Sequence, residues 1–392
     1  MDFELTPAQV ELRGDLRAYL GQLMTPELKA ELALEMREEG GRRYKEVVRQ
    51  IGADGWLGIG WPKEFGGRGL GAIEQHIFFE EATRAEAPVP LLALNTVGPA
   101  IIQFGSDEQK EFFLPRILRG EMHMCIGYTE PDSGTDLASL KTRAVRDGDE
   151  YVINGQKLFT TQANMADYVW LAARTDPDVP KHKGISIFLV DLSLPGVKVS
   201  PIETMVVRTN ATFYDDVRIP VTARVGDEGQ GWQLLTTQLN FERSSIVSTG
   251  TGYETLAQIT HWAGDQRLDD GSRLLDQQWV QVNLARVRAK LDALRLLNFR
   301  VAWMVENDIF AAADASAVKV FGAEFYIEAY DLMLDVVGAG GVLRSGSPGA
   351  AIRGRLERAI RMALLTTFGG GVNEVQRDII AMAGLHMPRA PR

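Results

Sequence analysis

Cysteine and histidine are scarce in this chain. The 392 residues include one cysteine, Cys125, and five histidines. A single cysteine excludes an internal disulfide, and because Cys125 lies in the apolar run MHMCIGY, we expect a buried, unreactive thiol. The histidines show no His-x-x-x-His spacing and have no pair of cysteines near them, which argues against a zinc site. A cytoplasmic protein fits this composition.

Positive charge and long apolar runs are lacking as well. Lysine and arginine number 42 against 52 aspartates and glutamates, so the formal net charge is -10. Because phosphate neutralisation needs clustered basic residues, this balance argues against a general nucleic-acid binder. The chain has no run of about eighteen apolar residues, so we predict no membrane-spanning helix. Its acidic, amphipathic start, MDFELTPAQVELRGDLRAYL, is not typical of a secretion signal.

The periodicity of the apolar residues changes twice along the chain. Residues 1–121 have helical periodicity, which is interrupted by the turn-rich segment GWPKEFGGRGL. Residues 122–227 alternate with a period of two in runs such as YVINGQKLFTT and ISIFLVDL, as β-strands do. Long helical segments with short connections return in residues 228–392, which is typical of a helical bundle. We therefore predict an α+β fold with an N-terminal helical domain, a middle β-barrel or sandwich and a C-terminal four-helix bundle, divided at these positions.

The predicted helices are long, and their bounds can be compared with a structure. They lie near residues 7–21, 26–52, 73–86, 92–104 and 107–118, and again near 229–265, 275–304, 311–336, 347–367 and 371–383. Two glycine clusters, GAGG at 338–341 and GGG at 369–371, each follow a predicted helix rather than a strand. Since a dinucleotide fingerprint needs a strand before its glycines, we exclude a Rossmann site.

One carboxylate, Glu242, lies on the apolar face of the predicted helix 229–265. The residues that recur on this face at steps of three, four and seven are Leu235, Leu239, Glu242, Ile246 and Tyr253. A carboxylate that faces the interior is costly unless it has a partner or its raised basicity is used. Enzymes use such a shift to hold a base near working pH. The structural alternative is an ion pair with Arg243 or with another helix.

Six segments of the chain resemble the acyl-CoA dehydrogenases, a family of flavoenzymes with the same order of helical, β and helical domains. The segments are GWPKEFGG, FGSDEQKEFFLPRILRGE, YTEPDSGTDL, NGQKLFTT, FERSSIV and GGGVNEVQRDII, and the resemblance extends over nearly the whole chain. It implies FAD as the cofactor, an acyl-CoA as the substrate and an electron-transfer flavoprotein as the acceptor. The implied reaction removes the α-proton of the thioester while a hydride leaves the β-carbon for flavin N5, which gives a trans-2-enoyl-CoA.

The resemblance also implies residues that contact the flavin and the thioester from the segment YTEPDSGTD. Tyr128 and Thr129 would lie beside the isoalloxazine, with the Thr129 hydroxyl near N5. Thr135 would contact both the flavin and the substrate. As residues alone, the same segment is also a plausible proline- and glycine-containing turn.

Two further segments supply the remaining cofactor contacts that the resemblance implies. In KLFTT, Phe159 would cover a face of the flavin, and Thr160 and Thr161 would hydrogen-bond its pyrimidine edge. Near the C-terminus, Gly371 and Glu374 would also contact the cofactor. An aromatic residue at a strand position is otherwise typical of a protein core.

The residue that most family members use as the base is absent. They carry Glu-Gly-Thr before an Asn-Glu or Ser-Gln pair, whereas this chain reads GGVNE at residues 370–374. A subset that resembles the isovaleryl-CoA and long-chain dehydrogenases carries its base on the helix that matches FERSSIV, where Glu242 lies. The resemblance therefore implies Glu242 as the catalytic base. It also implies Asn240, Arg243 and the backbone N–H of Gly370 as substrate contacts.

Two motifs that bind a neighbour's FAD in homotetrameric family members are not intact. The Arg-x-x-Phe-Gly loop corresponds to DQRLDDGSRLLDQ, and the Gln before a Gly-Gly pair corresponds to DVVGAGGVL. Asp335 replaces that Gln and would repel a pyrophosphate, and Val372 replaces a hydroxyl that normally touches FAD. This combination resembles the base-bearing subunit of the α2β2 heterotetrameric acyl-CoA dehydrogenases of bacterial steroid side-chain degradation.

The resemblance therefore implies a bulky steroid acyl-CoA substrate, as in cholesterol catabolism, and a second, homologous subunit as partner. Two alternatives are a branched short-chain acyl-CoA dehydrogenase that forms a homotetramer and a non-catalytic scaffold subunit. The small residues Thr249, Gly250 and Gly252 are compatible with a roomy pocket, and close helix packing explains them equally well.

Overall fold

The computed structural model of the chain describes residues 4–35, 41–205, 207–245 and 247–388, without the side chains of 33–35 and 240–245. The backbone forms two compact units. One contains Met1–Met24, Gly71–Ala87 and Arg243–Arg392, and the other contains Thr25–Leu70 and Pro88–Glu242. We call them the helical unit and the sheet unit. The domain boundaries near residues 121 and 227 stay predictions.

The described ranges contain helices both before and after the strands in chain order. In chain order they are α1 (Pro7–Leu23), α2 (Pro26–Glu35), α3 (Arg42–Ala53), α4 (Ala72–Ala85), α5 (Gly98–Phe104), α6 (Asp107–Leu118), α7 (Gly231–Ser245), α8 (Gly250–Asp265), α9 (Gln278–Glu306), α10 (Ala312–Val337), α11 (Arg355–Thr366) and α12 (Asn373–Ile379). The helix α1 begins with a capping box in which the Thr6 hydroxyl accepts from the Gln9 N–H and the Gln9 Oε1 accepts from the Thr6 N–H. Such a box satisfies amide groups that have no partner inside the helix.

Two helices that the sequence predicts as continuous are interrupted. The segment 26–52 contains two helices, because α3 begins only after Gly41, whose φ of 57° is left-handed. The segment 229–265 is divided between α7 and α8, with residues 247–249 outside both helices. The placement of Tyr253 on the same helical stripe as Leu235 is therefore wrong. Ile246 lies outside the described residues.

Close packing in the helical unit accounts for the small residues at the start of α8. A Cβ on Gly250 would collide with the backbone oxygen of Glu80 on α4, and one on Gly252 would lie 2.7 Å from the Leu291 Cδ2 on α9. The Thr249 hydroxyl donates to the buried Glu80 carboxylate at 2.7 Å. Helix packing, rather than a roomy pocket, therefore explains these residues.

The strands form one mixed sheet in the sheet unit. They are β1 (Met124–Gly127), β2 (Arg143–Asp147), β3 (Glu150–Lys157), β4 (Tyr168–Arg174), β5 (Ile185–Asp191), β6 (Val197–Ile202), β7 (Thr209–Pro220) and β8 (Arg224–Val225). The order is β6-β7-β3-β2-β4-β5-β8, with β1 paired to β4. A single pair, Arg143 with Arg174, joins β2 to β4, and both halves of the sheet contribute to one apolar core. The predicted order of helices, sheet and helices is confirmed.

Cys125 lies in β1 and is fully buried, as the sequence predicts. Removal from water raises the pKa of its thiol, because burial disfavours the charged thiolate. Across the described ranges, none of the helices combines the length and the apolar character that a membrane span requires.

Candidate active site

Two loops at the ends of strands bring several predicted cofactor residues together in the sheet unit. The first comprises residues 128–130 after β1, and the second comprises residues 158–161 after β3. The Leu158 N–H donates to the Thr129 carbonyl at 2.8 Å, so the loops lie side by side. We call them the ring-side loops. Thr135, which follows the first loop, is exposed.

Tyr128 connects the first ring-side loop to α7. Its hydroxyl donates to the Gln238 Oε1 at 2.7 Å and accepts from the Trp170 Nε1 at 2.9 Å. Gln238 and Trp170 are both fully buried. This chain of hydrogen bonds fixes the tyrosine ring and joins it to α7 four residues, or about one helical turn, before Glu242.

A buried ion pair holds the first ring-side loop. Glu130 and Lys157 are 6% and 0% exposed, and the Lys157 Nζ lies 2.7 Å from the Glu130 Oε1. Glu130 also accepts from the N–H groups of Lys141 at 2.6 Å and Thr142 at 2.9 Å, and Lys157 donates to the Tyr128 carbonyl at 3.2 Å. Burial alone would raise the pKa of Glu130, but the ammonium and these donors hold that pKa below its ordinary value.

The second ring-side loop exposes an aromatic ring on a strained backbone. Phe159 has a φ of 57° and is 57% exposed, both of which are unusual for phenylalanine. Thr160 is fully buried, and its N–H donates to the Asn210 carbonyl at 2.9 Å. Thr161 is exposed, with its hydroxyl 3.2 Å from that of Thr209. The Asn210 Oδ1 is buried without a hydrogen-bond partner among the described residues.

A second group of predicted residues lies in the helical unit, in a loop of residues 367–373 between α11 and α12. We call it the glycine loop. Gly370 and Gly371 have φ values of 67° and 102°, which side chains other than glycine rarely adopt. The N–H groups of Phe368, Gly369 and Gly371 donate to carbonyls within residues 365–368. The Gly370 N–H has no acceptor within the part of the chain that the structure describes.

Polar side chains of α10 and α12 hold the glycine loop. Lys319 on α10 donates to the Gly371 carbonyl at 2.7 Å and to the Asn373 Oδ1 at 2.7 Å. Gln376 is buried and accepts from the Ser316 hydroxyl at 2.9 Å. Glu374, the other predicted cofactor contact here, is exposed in the first turn of α12.

The three predicted site residues of α7 have no described side chains. Glu242, Asn240 and Arg243 lie on the backbone of α7, but their side chains are outside the described part of the chain. Leu235 is fully buried and Leu239 is partly buried. The part of the apolar face that precedes Glu242 on α7 therefore faces the interior. The interior placement of the Glu242 carboxylate stays a prediction.

Sequence reasoning missed the residues that brace these loops. Lys157 lies two residues after Gly155 and four after the buried Ile153, so the strand alternation placed it on the inner face. Lys319 lies four residues after the buried Ala315 and four before the buried Ala323, on the inner face of its helix. Strand alternation therefore identifies Lys157, and the helical periodicity that selected Glu242 also identifies Lys319.

The residues of the segments that depart from the family pattern differ in their exposure. Asp335 is exposed on α10, and Val372 is half-buried in the glycine loop. Leu268, between α8 and α9, is 38% exposed.

Three family models match successive parts of the chain. They are the acyl-CoA dehydrogenase N-terminal domain at residues 6–121, the middle domain at 125–217 and the C-terminal domain at 229–385. Among individual relatives, the acyl-CoA dehydrogenase FadE26 of Mycobacterium tuberculosis is 51% identical, and the match covers 100% of both chains. The acyl-CoA dehydrogenase FadE29 of the same bacterium is 46% identical over 100% of both chains.

Solved structures agree with these matches. A chain in the crystal structure of the ChsE4-ChsE5 complex from Mycobacterium tuberculosis is 51% identical and has a TM-score of 0.93, with 100% of each chain covered. A chain of the Tcur3481-Tcur3483 steroid ACAD is 47% identical with a TM-score of 0.93, again with 100% of each chain covered. The resemblance first carried by six short segments thus extends to the whole chain, which belongs to the acyl-CoA dehydrogenase family of flavin-dependent oxidoreductases.

Proposed function

We propose that this chain dehydrogenates an acyl-CoA thioester between its α- and β-carbons, with FAD as the cofactor and Glu242 as the base that removes the α-proton. The observation that carries this proposal is the hydrogen bond between Tyr128 and Gln238. It joins the loop assigned to the flavin ring with the helix that carries Glu242, one turn before that residue. Bound FAD supplies the hydride acceptor.

The residues present fit a flavin. Phe159 keeps a strained backbone and an exposed ring, a combination that persists where the surroundings fix it and that often marks a ligand site. The exposed hydroxyls of Thr135 and Thr161 offer hydrogen bonds on the same unit. Tyr128 and Thr129 would hold the ring on one side, with Thr160 in the backbone that supports Phe159. Gly371 and Glu374 would contribute from the helical unit.

The substrate's thioester needs a donor for the negative charge that develops on its oxygen when the α-proton leaves. A positioned backbone N–H is effective because it needs no reorganisation during the reaction. The Gly370 N–H has no acceptor within the described residues, so it is available for this oxygen. Glu242 takes the proton at its carboxylate, and Asn240, Arg243 and Thr135 hold the substrate in place.

The relatives support a steroid substrate and a heteromeric assembly. One matching structure is described as a steroid ACAD, and both matching structures contain two differently named subunits. We propose a bulky, sterol-derived acyl-CoA as the substrate of this chain. We also propose an α2β2 assembly in which a second, homologous subunit supplies the FAD contacts that the segments DQRLDDGSRLLDQ and DVVGAGGVL lack here. An electron-transfer flavoprotein would then reoxidise the flavin.

The test is to purify the chain alone and with its genomic neighbour, and to follow flavin absorbance during anaerobic addition of a steroid acyl-CoA. We expect flavin only in the pair, and rapid bleaching by this substrate. Glu242→Gln should keep the flavin but slow the bleaching by about 10²–10⁴-fold, the usual contribution of a general base. Glu111→Gln, at an exposed position of α6, is the matched control and should bleach like the wild type.

Other results of the same experiment would support the two alternative functions or remove Glu242 from its proposed role. Full flavin in the lone chain, bleached by a branched short-chain acyl-CoA and not by the steroid thioester, would support a homotetrameric short-chain enzyme. A flavin-free pair that binds acyl-CoA would support a scaffold. Unchanged bleaching in Glu242→Gln would remove that residue from the role of base.

A further inference from the structure

Lys319 is a fully buried lysine in the middle of α10. Its neighbours one turn away on the same helix, Ser316 and Ala323, are also fully buried, so this face of α10 points to the interior. A buried ammonium is costly unless oxygen atoms replace the water that it loses. A lysine in this position therefore needs a specific set of acceptors.

Among the described residues, three oxygens of the glycine loop accept hydrogen bonds from the Lys319 ammonium. They are the carbonyl of Thr367 at 3.2 Å, the carbonyl of Gly371 at 2.7 Å and the Asn373 Oδ1 at 2.7 Å. An ammonium has three N–H donors, so it can donate to several oxygens at once. Hydrogen bonds to a charged donor are shorter and stronger than those between neutral groups.

The three oxygens come from both ends of the glycine loop. Thr367 precedes Gly370, while Gly371 and Asn373 follow it, and the Asn373 N–H donates to the Thr367 carbonyl at 2.9 Å. Lys319 thus ties the entry and the exit of the loop to one point on a long helix. The peptide that carries the Gly370 N–H lies between these attachments.

A second attachment one helical turn away supports the same loop. The Ser316 hydroxyl donates to the Gln376 Oε1 at 2.9 Å, and both side chains are fully buried. A Cβ on Gly371 would lie 2.6 Å from the Gln376 Nε2, so the amide packs directly against the glycine backbone. The helix α10 therefore fixes the loop at two successive turns.

We propose that Lys319 is the positioning residue that orients the Gly370 N–H toward the thioester oxygen of the substrate. The proposal rests on the proposed function, because it concerns the same donor. A donor that is displaced by even a fraction of an ångström loses much of its effect on a developing charge. In this role Lys319 acts through the loop that it holds.

The proposed role of Lys319 and the proposed role of Glu242 affect different quantities, the stability of the enolate and the rate of proton removal. The base sets how fast the α-proton leaves, whereas the oxygen donor sets how stable the enolate is once the proton has left. Loss of Lys319 should therefore raise the pKa of the α-proton in the bound thioester. Loss of Glu242 should slow the transfer without an equal change in that pKa.

The experiment uses the flavin-loaded protein, with its partner subunit if the flavin requires it. The probe is a 3-thia analogue of the steroid acyl-CoA, in which sulfur replaces the β-carbon so that no hydride can leave. Its α C–H bond breaks reversibly, the proton passes to the enzyme's base or to solvent, and the electron pair stays on the enolate. The enolate produces a long-wavelength absorbance beside the oxidised flavin, so a pH titration gives the pKa of the bound ligand.

We expect Lys319→Met to raise this ligand pKa by about one unit, which is about a tenfold loss of enolate stability. Lys319→Arg should give a smaller shift, because it keeps the charge with different geometry. Lys290→Met is the matched control, since Lys290 lies at the surface beside Glu328 on the neighbouring helix. It should leave the titration unchanged.

A second variant guards against misfolding. Asn373→Leu removes one oxygen and leaves Lys319 bonded to Gly371, so it should shift the ligand pKa in the same direction by less. If Lys319→Met does not fold, the titration of Asn373→Leu tests the proposal in its place. An unchanged ligand pKa in whichever of the two variants is folded overturns the proposal. A wild type that holds flavin but never ionises the probe contradicts the proposed function instead, which is a distinguishable result.

Discussion

The ring-side loops and the glycine loop are each held by a fully buried lysine, but the two lysines meet different partners. In the sheet unit, Lys157 bonds the Glu130 carboxylate and the Tyr128 carbonyl. In the helical unit, Lys319 bonds two backbone carbonyls and the amide oxygen of Asn373. The first ring-side loop is attached to its lysine through a charge pair and a carbonyl, whereas the glycine loop is attached to its lysine through three uncharged oxygens.

This difference predicts how each loop fails. When one member of a buried ion pair is removed, the other charge remains in the interior without compensation. When an ammonium is removed from uncharged oxygens, those oxygens lose hydrogen bonds but no charge is stranded. The ring-side loops should therefore be the more sensitive to loss of their lysine, and they should be the first to respond to acid.

The largest effect is expected for Lys157→Met. The variant leaves the Glu130 carboxylate buried without its ammonium, which should lower the free energy of unfolding by about 3–5 kcal/mol. Urea unfolding at neutral pH measures this change. The double variant Lys157→Met with Glu130→Gln removes the stranded charge and should recover at least half of the loss. A double variant as unstable as the single one would show that packing, rather than charge, dominates.

Lys319→Met should destabilise the protein by a smaller amount, about 1–3 kcal/mol. It removes hydrogen bonds from buried carbonyl and amide oxygens, and the Thr367 carbonyl retains its bond from the Asn373 N–H. The same urea series compares it directly with Lys157→Met. If Lys319→Met proved the more damaging of the two, the contrast between a charge pair and uncharged oxygens would be wrong.

The sequence identified the loops but not what braces them. The resemblance to a known family identified the site residues Tyr128, Thr129, Phe159 and Gly370. Such a resemblance does not show which other side chains hold those residues in place. The bracing lysines carry a usable signal, because both occupy inner positions of their elements.

The break between α7 and α8 could not be predicted from the local sequence pattern. The apolar periodicity continues from α7 into α8, and the chain has no proline there that would mark an end. The interruption is accompanied by packing with distant segments, since Asn298 donates to the Val247 carbonyl at 3.0 Å and Gly250 lies against α4. Tertiary contacts of this kind override local helical preference.

Acid should loosen the ring-side loops before the glycine loop. Glu130 has a folded-state pKa below the ordinary value of 4.5, so its contribution to stability is present above that pH and is lost as the pH falls below it. The oxygens around Lys319 do not titrate in this range. We expect the amides of Lys141 and Thr142, which donate to Glu130, to lose protection from hydrogen exchange as the pH falls below 4.5 and through the lowered pKa of Glu130.

The comparison is the exchange of the Gly369 and Gly371 amides in the same samples, after correction for the intrinsic effect of pH. These amides should keep their relative protection. Glu130→Gln removes the titrating group and should make the acid response of the Lys141 and Thr142 amides disappear. A response that persists in this variant would assign the acid sensitivity to another group.

The smallest effect is expected at Phe159, where function and stability should move in opposite directions. Its left-handed φ of 57° is strained for phenylalanine, and its ring is 57% exposed, so the ring gains little from burial in the unliganded chain. Phe159→Gly relieves the strain but adds freedom to the unfolded chain, which leaves a net gain of about 0.5–1 kcal/mol. The variant should hold flavin less tightly, because the aromatic cover is lost.

Asp308→Gly, at an exposed residue with a φ of 54°, is the matched control and should change stability without changing flavin retention. If Phe159→Gly instead destabilised the flavin-free chain and retained flavin normally, Phe159 would serve the fold and not the cofactor, and the ring-side loops would lose the observation that best fits them to a flavin.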